Sequence, residues 1–232
     1  PVRSGQGVIG GFSGAVAAII SHLGFESFVT ESCDAAGIAE GIERGAEILM
    51  LADDDRFVAV TPRRKLLVDN SQATAQGFVA ALEFMRGGLA EKDVLVLGCG
   101  PVGVAAARAL LHRGSSVALC DLRENRALTA LQDIGREDPA RVRIEGASDA
   151  ALLRYDLIFD ATDTGGFIEP AHLTPRTFVA APGMPCGLTP EALAGARDRV
   201  LHDALEIGVA TMAIQAAARL VGGPEARKVT EK

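Results

Sequence analysis

The hydrophobic pattern is most regular in the second half of the chain, where short apolar runs alternate with segments that carry apolar residues at helical spacing. Continuous apolar runs of this length are typical of parallel strands buried on both faces. We predict strands over residues 94–97, 117–120, 142–144, 157–160, 177–181 and 200–201, and helices over 101–113, 123–134 and 206–221. This alternation predicts a doubly wound α/β unit.

The first third of the chain also mixes the two kinds of pattern. We predict helices over residues 11–23, 34–45 and 74–86, and strands over 27–30, 46–52, 56–60 and 65–68. Asp34 is expected to cap the second helix. Because the run at 46–52 is apolar except for Glu47, it is interpreted as a buried parallel strand.

A glycine motif lies between the strand at 94–97 and the helix that follows it. Gly98, Gly100 and Gly103 complete a G-x-G-x-x-G string, in which the first glycine allows a tight turn and the second lets the backbone approach a pyrophosphate. The third lets helix and strand pack closely, and the N–H groups at the helix start, around Pro101 and Val102, face the anion. The complete pattern favours a dinucleotide site over a glycine turn that holds no ligand.

Further residues of this candidate site follow the later strands. Asp121 ends the second strand, where a carboxylate accepts hydrogen bonds from a ribose 2′-OH and repels a 2′-phosphate. NAD is therefore favoured over NADP, although the neighbouring Arg123 weakens the preference. Ala161, Thr162 and Pro182 are expected to flank the nicotinamide and its ribose, although ordinary strand-end turns are an equally good interpretation of their positions.

Two domains follow from these elements, with the Gly87-Gly88 pair as the boundary. Residues 1–87 are predicted to form an N-terminal α/β substrate domain, and residues 88–205 a Rossmann dinucleotide-binding domain. The last helix, over 206–221, is expected to pack back on the first domain. The fold class is therefore α/β; the resemblance described below further implies an architecture like that of the amino-acid dehydrogenases.

Composition and charge exclude several classes of function. Thirty acidic residues against 23 basic ones give a net charge of -7, which disfavours binding to nucleic acid. Every apolar run is interrupted before the roughly 18 residues that a membrane span needs, so we predict a soluble protein with no membrane partner. The cysteines show no C-x-x-C pair and are interpreted as reduced thiols of a cytoplasmic protein: Cys33, Cys99, Cys120 and Cys186.

Polar residues of the first half are candidates for binding a substrate. Ser4 lies in a glycine-rich loop suited to a carboxylate, Asn70 precedes a helix, and Asp53 opens a run of three carboxylates. Such a run suits a substrate ammonium or a metal, but a solvated turn is the commoner interpretation. Scattered histidines disfavour a transition metal, so no metal is predicted. Asp203, after His202, is either functional or a cap of the last helix.

Several strings of the chain resemble the pyrrolysine synthase family. They are residues 4–13, 24–31, 45–54 and 182–186, together with the Ala161-Thr162 corner and the glycine motif, so the likeness covers nearly the whole chain. The resemblance implies an NAD-dependent dehydrogenase that acts on a CH–NH2 group and forms a homodimer.

The resemblance also implies a reaction, the final step of pyrrolysine biosynthesis. The terminal amine of 3-methylornithyl-N6-lysine is oxidised, hydride passes to NAD+, the imine hydrolyses with loss of ammonia, and the remaining ornithyl amine closes the pyrroline ring. By similarity, the residues that bind this dipeptide-like amine are Ser4, Asp53, Asn70 and Asp203, with Asp53 and Asp203 as the catalytic candidates. Which group accepts the proton stays open, and water is one candidate.

Two departures from the family pattern bear on these expectations. The family carries a helical segment of several tens of residues ahead of the position that matches Pro1, and this segment would be expected to help cover the substrate. We expect that this chain is part of a longer one, that it relies on another polypeptide, or that its pocket is more open. Asp203 also stands where relatives have a longer acid. The alternatives are another NAD-dependent amine or amino-acid dehydrogenase, or an NAD-binding protein without catalysis.

Overall fold

The computed structural model describes residues 11–136, 138–147 and 149–221. The helices of this part of the chain are α1 (Phe12–His22), α2 (Asp34–Glu43), α3 (Asn70–Arg86), α4 (Pro101–His112), α5 (Glu124–Ile134), α6 (Asp149–Arg154), α7 (Pro190–Gly195) and α8 (Glu206–Val221). The strands are β1 (Leu49–Ala52), β2 (Phe57–Thr61), β3 (Leu66–Asp69), β4 (Asp93–Leu97), β5 (Ser116–Cys120), β6 (Val142–Ile144), β7 (Leu157–Asp160), β8 (Phe178–Ala181) and β9 (Val200–His202).

Internal contacts divide the chain into two compact units. The described part of the first unit comprises residues 11–73 and 205–221, and the second comprises residues 74–204. The division therefore falls near the start of α3, upstream of the Gly87-Gly88 pair where the sequence predicted a domain boundary.

The first unit contains a three-stranded antiparallel sheet in the order β1-β2-β3. The prediction of a parallel strand at 46–52 is wrong, because β1 pairs antiparallel with β2, Leu49 lying opposite Val60. Only a few residues join the two strands, and so short a connection permits a hairpin but no parallel crossover. Within β1, Leu49 is buried and the other residues are half-buried, so the apolar run marks a partly covered strand.

The last helix returns to this first unit, as the sequence predicted. It packs on β2 and β3 and against α1. Met212 and Ala216 of α8 join a buried cluster with Ala59, Val68 and Ala73. Helix and sheet thus bury their apolar faces against each other, although they come from opposite ends of the chain.

Met212 should therefore be important for the stability of the first unit. Its side chain is fully buried, so Met212→Ala should lower the free energy of unfolding by about 2–5 kcal/mol, measured by urea denaturation. Ile214 lies on the same helix but is 53% exposed, so Ile214→Ala is the matched control, and it should cost about 0.5 kcal/mol. Equal losses in the two variants would contradict this packing.

The second unit is a six-stranded parallel sheet in the order β6-β5-β4-β7-β8-β9. This is the doubly wound order of dinucleotide-binding folds, in which the strand order reverses between β4 and β7. The predicted fold class is confirmed. All four residues of β7 are buried, as are four of the five in β4, which explains why these strands were recognisable as continuous apolar runs.

Other local differences have identifiable causes. Residues 27–30 do not form a strand, because the segment runs beside α1, where the Ser27 hydroxyl donates to the carbonyl oxygen of Ala17 at 2.9 Å. Asp34 is the first residue of α2, and the cap position is Cys33. Helix α3 begins four residues before the predicted start, where Asp69 Oδ1 accepts from the Ser71 N–H.

Candidate functional site

The glycine motif forms a tight turn between β4 and α4. Gly98 adopts a φ of +84°, and its N–H donates to the carbonyl oxygen of Cys120 at 2.8 Å. A Cβ at Gly103 would overlap the carbonyl oxygen of Gly98, so the first turn of α4 packs directly on the turn that precedes it. Glycine is required at both positions, the first for its backbone conformation and the other for close approach.

The start of α4 has the features of an anion site. Gly100 is the cap residue, no side chain caps the helix, and Pro101 occupies the first turn. The first N–H groups of a helix have no intrahelical acceptor, so they are available to a pyrophosphate, which the helix dipole also attracts. A Cβ at Gly100 would meet no atom within 4 Å, so open space lies beside the backbone where the phosphates would approach.

Asp121 lies beside this loop at the end of β5. Its Oδ2 accepts from the N–H of Cys99 at 2.8 Å, and its Oδ1 accepts from the N–H of Arg123 at 2.8 Å. These bonds hold the carboxylate next to the glycine loop, and Asp121 is partly exposed there. Each oxygen has a further lone pair with which it can accept from a ribose hydroxyl. The residues present thus fit a dinucleotide.

The predicted nicotinamide residues lie at the ends of β7 and β8. Ala161 donates its N–H to the carbonyl oxygen of Leu97 at 2.9 Å, which places the 161–162 corner against the end of β4. Ala161, Thr162 and Pro182 are all partly exposed. They lie at the carboxyl edge of the sheet, beside the point where the strand order reverses, and ligands bind at such points in open α/β sheets.

Asp160 is a residue of this edge that the sequence interpretation did not select. It is completely buried, and its carboxylate accepts from Thr162 Oγ1 at 2.7 Å, from the Thr162 N–H at 3.1 Å and from the Gly187 N–H at 3.1 Å. Burial raises its pKa above the usual range, while these hydrogen bonds and the nearby His202 act in the opposite direction. The available signal was an aspartate as the last residue of an otherwise apolar strand.

His202 ends β9 at the same edge. Its Nδ1 lies 2.7 Å from the carbonyl oxygen of Ala181. Because a carbonyl only accepts, Nδ1 carries the proton in this contact. The ring therefore links the ends of β8 and β9.

Cys99 and Cys120 are free, buried thiols at the glycine loop. Burial, followed by the negative charge of Asp121, raises the pKa of Cys99 to about 12 and that of Cys120 to about 11. Nucleophilic cysteine requires the thiolate. Neither residue is therefore suited to covalent catalysis at neutral pH.

Asp53 occupies a turn after β1 in the first unit. Its Oδ1 accepts from the N–H groups of Arg56 at 2.8 Å and of Asp55 at 2.9 Å, and these bonds lower the pKa of the exposed carboxyl. Asp53 is therefore ionised at neutral pH and ordered by its own turn. In the part of the chain that the structure describes, no group of three His, Cys, Asp or Glu residues is placed to hold a metal.

The structure brings Asp53 and Asn70 to one edge of the antiparallel sheet. β1 and β3 run in the same direction on either side of β2, so the residues that follow them lie at the same end. Arg56, which closes the Asp53 turn, also forms an ion pair with Asp69, next to Asn70, at 2.8 Å. Asp203 follows β9 in the second unit and is partly exposed, and Ser4 lies outside the described residues.

Comparison with known proteins decides the family. Residues 1–68 match the sequence model of a protein family that is described as pyrrolysine biosynthesis protein PylD, N-terminal domain. The chain is 33% identical to pyrrolysine synthase of Methanosarcina barkeri over 215 residues, which cover 91% of this chain and 77% of the relative. The chain belongs to the pyrrolysine synthase family. A second pyrrolysine synthase, from Methanosarcina acetivorans, is 30% identical over 91% of the chain and 78% of the relative, and the family predicted from the sequence is confirmed.

Several solved structures with the same fold are dehydrogenases that are distant in sequence from this member of the pyrrolysine synthase family. Shikimate dehydrogenase from Aquifex aeolicus matches with a TM-score of 0.65 at 14% identity, covering 92% of this chain and 89% of that one. Quinate dehydrogenase from Corynebacterium glutamicum in complex with NAD matches with a TM-score of 0.62 at 16% identity, over 91% and 89%. A shikimate dehydrogenase in complex with NADP+ matches with a TM-score of 0.63 at 13% identity, over 91% and 92%. These likenesses establish the fold.

Proposed function

We propose that this protein catalyses the NAD-dependent oxidation of the terminal amine of 3-methylornithyl-N6-lysine, the final step of pyrrolysine biosynthesis. The observation that carries the proposal is the relationship to pyrrolysine synthases across 91% of the chain. A complete dinucleotide loop on a doubly wound sheet supports it independently, because hydride removal from an amine carbon needs an acceptor.

The two units take different roles in this proposal. Residues 74–204 bind NAD, and the candidate contacts are Gly98, Gly100, Pro101, Val102, Gly103, Asp121, Ala161, Thr162 and Pro182. When bound, NAD+ supplies the hydride acceptor. The carboxylate of Asp121 favours NAD over NADP, because it accepts from a ribose 2′-OH and repels a 2′-phosphate.

Residues 11–73 with α8 form the substrate unit. Asp53 of this unit is proposed to pair with an ammonium group of the substrate, and Asn70 to donate to its carboxylate. By similarity to the family, Ser4 of the glycine-rich loop and Asp203 of the second unit are also proposed to bind the substrate, Asp203 as a second partner for ammonium. After hydride removal the imine takes up water and releases ammonia to give an aldehyde. The second ornithyl amine then condenses with the aldehyde carbonyl and loses water, which closes the pyrroline ring. Ring closure needs little assistance because the reacting groups belong to one molecule.

The setting of the enzyme belongs to the same proposal. We expect a cytoplasmic homodimer that binds a small dipeptide-like amine and neither nucleic acid nor membrane. Among the residues described by the structure, none belongs to a helix long and apolar enough to span a bilayer. Light scattering of the purified protein tests the dimer.

An absorbance assay tests the reaction. Full-length protein with NAD+ and 3-methylornithyl-N6-lysine should produce NADH and, by mass spectrometry, pyrrolysine, whereas NADP+ should be used at least about tenfold less efficiently because of Asp121. Ornithyl-lysine should give the demethylated product. NADH from ornithine, lysine or glutamate alone would indicate another amine or amino-acid dehydrogenase, and NAD binding by calorimetry without turnover of any amine would indicate a non-catalytic protein.

A further inference from the structure

A buried carboxylate joins the loops at the carboxyl edge of the parallel sheet. Asp160, the last residue of β7, has no exposed surface. Its Oδ1 accepts two hydrogen bonds from Thr162, and its Oδ2 accepts one from the Gly187 N–H, 27 residues further along the chain. One side chain therefore ties the loop after β7 to the loop after β8.

Close packing leaves this carboxylate little freedom. A Cβ at Gly187 would overlap Asp160 Oδ2, so the backbone of the loop after β8 rests directly on the carboxylate. On the other side, Gly98 packs against the Ala161 carbonyl oxygen so closely that a Cβ at Gly98 would lie 2.8 Å from that oxygen. The Asp160 corner is thus held between the glycine loop and the segment that begins with Pro182.

The hydrogen bond from Thr162 determines what its hydroxyl can do. A hydroxyl has one proton, and the Asp160 carboxylate at 2.7 Å is a shorter and more strongly charged acceptor than the Thr164 carbonyl at 3.3 Å. With its proton directed to Asp160, Thr162 Oγ1 has only lone pairs to offer a ligand. It is therefore prepared to accept from an N–H or O–H group and not to donate.

A carboxylate at the position of Asp160 costs more free energy to bury than an apolar side chain that fills the same space. A buried carboxylate loses its hydration, and the three donated bonds with the nearby His202 offset part of that loss. Gly183 donates its N–H to the main-chain carbonyl of Asp160 at 3.0 Å, so the loop after β8 is also attached by backbone alone. The backbone bond attaches the loop, and the Asp160 carboxylate in addition orients Thr162 and Gly187.

We propose that Asp160 is a positioning residue for hydride transfer: through Thr162 and Gly187 it fixes the pocket for the nicotinamide riboside, to which Thr162 Oγ1 presents an acceptor. The inference rests on the proposed function, because it takes the strand ends of this sheet as the nicotinamide side of an NAD site. Asp160 touches neither cofactor nor substrate in this role. Its effect is on the distance and angle of transfer, to which rates are steeply sensitive.

Two variants test the role through different atoms. Asp160→Asn keeps the size of the side chain but turns one acceptor into a donor that faces Thr162 or Gly187, and Thr162→Val keeps the shape but removes the hydroxyl. Both should lower kcat about tenfold to a hundredfold, with KM for NAD+ changed less than about threefold, because binding through the phosphates is untouched. The primary deuterium isotope effect, with substrate deuterated at the amine carbon, should increase. Thr162→Ser should restore wild-type values.

The matched control is another carboxylate at the end of a strand in the same sheet. Glu145 follows β6 and accepts from the Tyr155 hydroxyl at 2.8 Å and from Arg154 at 2.7 Å. Glu145→Gln should leave kcat and the isotope effect unchanged. If Asp160→Asn is less stable but has wild-type kcat and isotope effect, the residue is only structural and the proposal is overturned.

A binding measurement separates this proposal from the proposed function. Bound NADH reports its nicotinamide environment through fluorescence, which needs no turnover. A wild-type protein that forms no NADH from the amine would contradict the proposed function, yet an altered NADH emission in Asp160→Asn and Thr162→Val, absent in Glu145→Gln, would still support positioning. Should Asp160→Asn fail to fold, Thr162→Val decides alone, and wild-type emission in that variant would overturn the inference.

Discussion

Replacing Gly103 by alanine should both destabilise the second unit, which we call the nucleotide unit, and weaken NAD binding. The new Cβ would overlap the carbonyl oxygen of Gly98, which is main chain and cannot turn away as a side chain could. Helix α4 and the turn after β4 must separate, at a cost of about 3 kcal/mol, a typical upper value for overpacking. The melting temperature should fall by about 6–12 °C, measured by calorimetry.

Gly100 offers the informative contrast to Gly103. A Cβ at Gly100 meets no protein atom within 4 Å, and its φ of −77° suits any residue. Gly100→Ala should therefore fold with wild-type stability but lose NAD affinity at least about tenfold, because its methyl group occupies the space needed by the pyrophosphate. Gly195→Ala, at an open position of α7, should change neither property. Tight NAD binding by Gly100→Ala would contradict this placement of the phosphates.

Changing Asp53 to asparagine should nearly abolish turnover of the amine while leaving the fold intact. The asparagine oxygen can still accept from the N–H groups of Arg56 and Asp55, so the turn after β1 survives. The negative charge is lost, so the substrate ammonium no longer has the partner that we propose for it, and kcat/KM should fall about a hundredfold. Steady-state NADH formation with 3-methylornithyl-N6-lysine measures the loss.

Asp55 provides the control for this substitution, since it is an exposed carboxylate in the same turn. Asp55→Asn removes the same charge from the same turn and should leave kcat/KM within about twofold of wild type, because only Asp53 is proposed to pair with the substrate ammonium. NAD affinity should be unchanged in both variants. If they lost activity equally, the effect would come from the general field of the acidic turn, and Asp53 would have no specific partner.

The nucleotide unit was predictable because its signals are local and redundant. Strands such as β4 and β7 are buried on both faces, so a run of apolar residues is sufficient to mark them. The glycine motif then has a single structural context in which all of its residues are needed. The family resemblance drew on additional strings in the first third, where secondary-structure signals were weakest.

The errors arise where long-range contacts decide the structure. The pairing direction of β1 depends on the following hairpin, and the segment at 27–30 is held by a hydrogen bond to α1 and not by a strand partner. Helices α6 and α7, each six residues long, are too short for a helical period to emerge. Asp160 could not be recognised as a link between loops, because its partner Gly187 is distant in sequence.

The return of α8 has a consequence for how the protein is made. Residues 11–73 include the sheet of the first unit, but Met212 and Ala216, which complete its buried cluster, are translated only after the whole of residues 74–204. All strands of the second unit are translated before this last helix. Until α8 is synthesised, the apolar face of the antiparallel sheet in the first unit stays uncovered, so we expect chaperones and proteases to bind this part of the chain during synthesis.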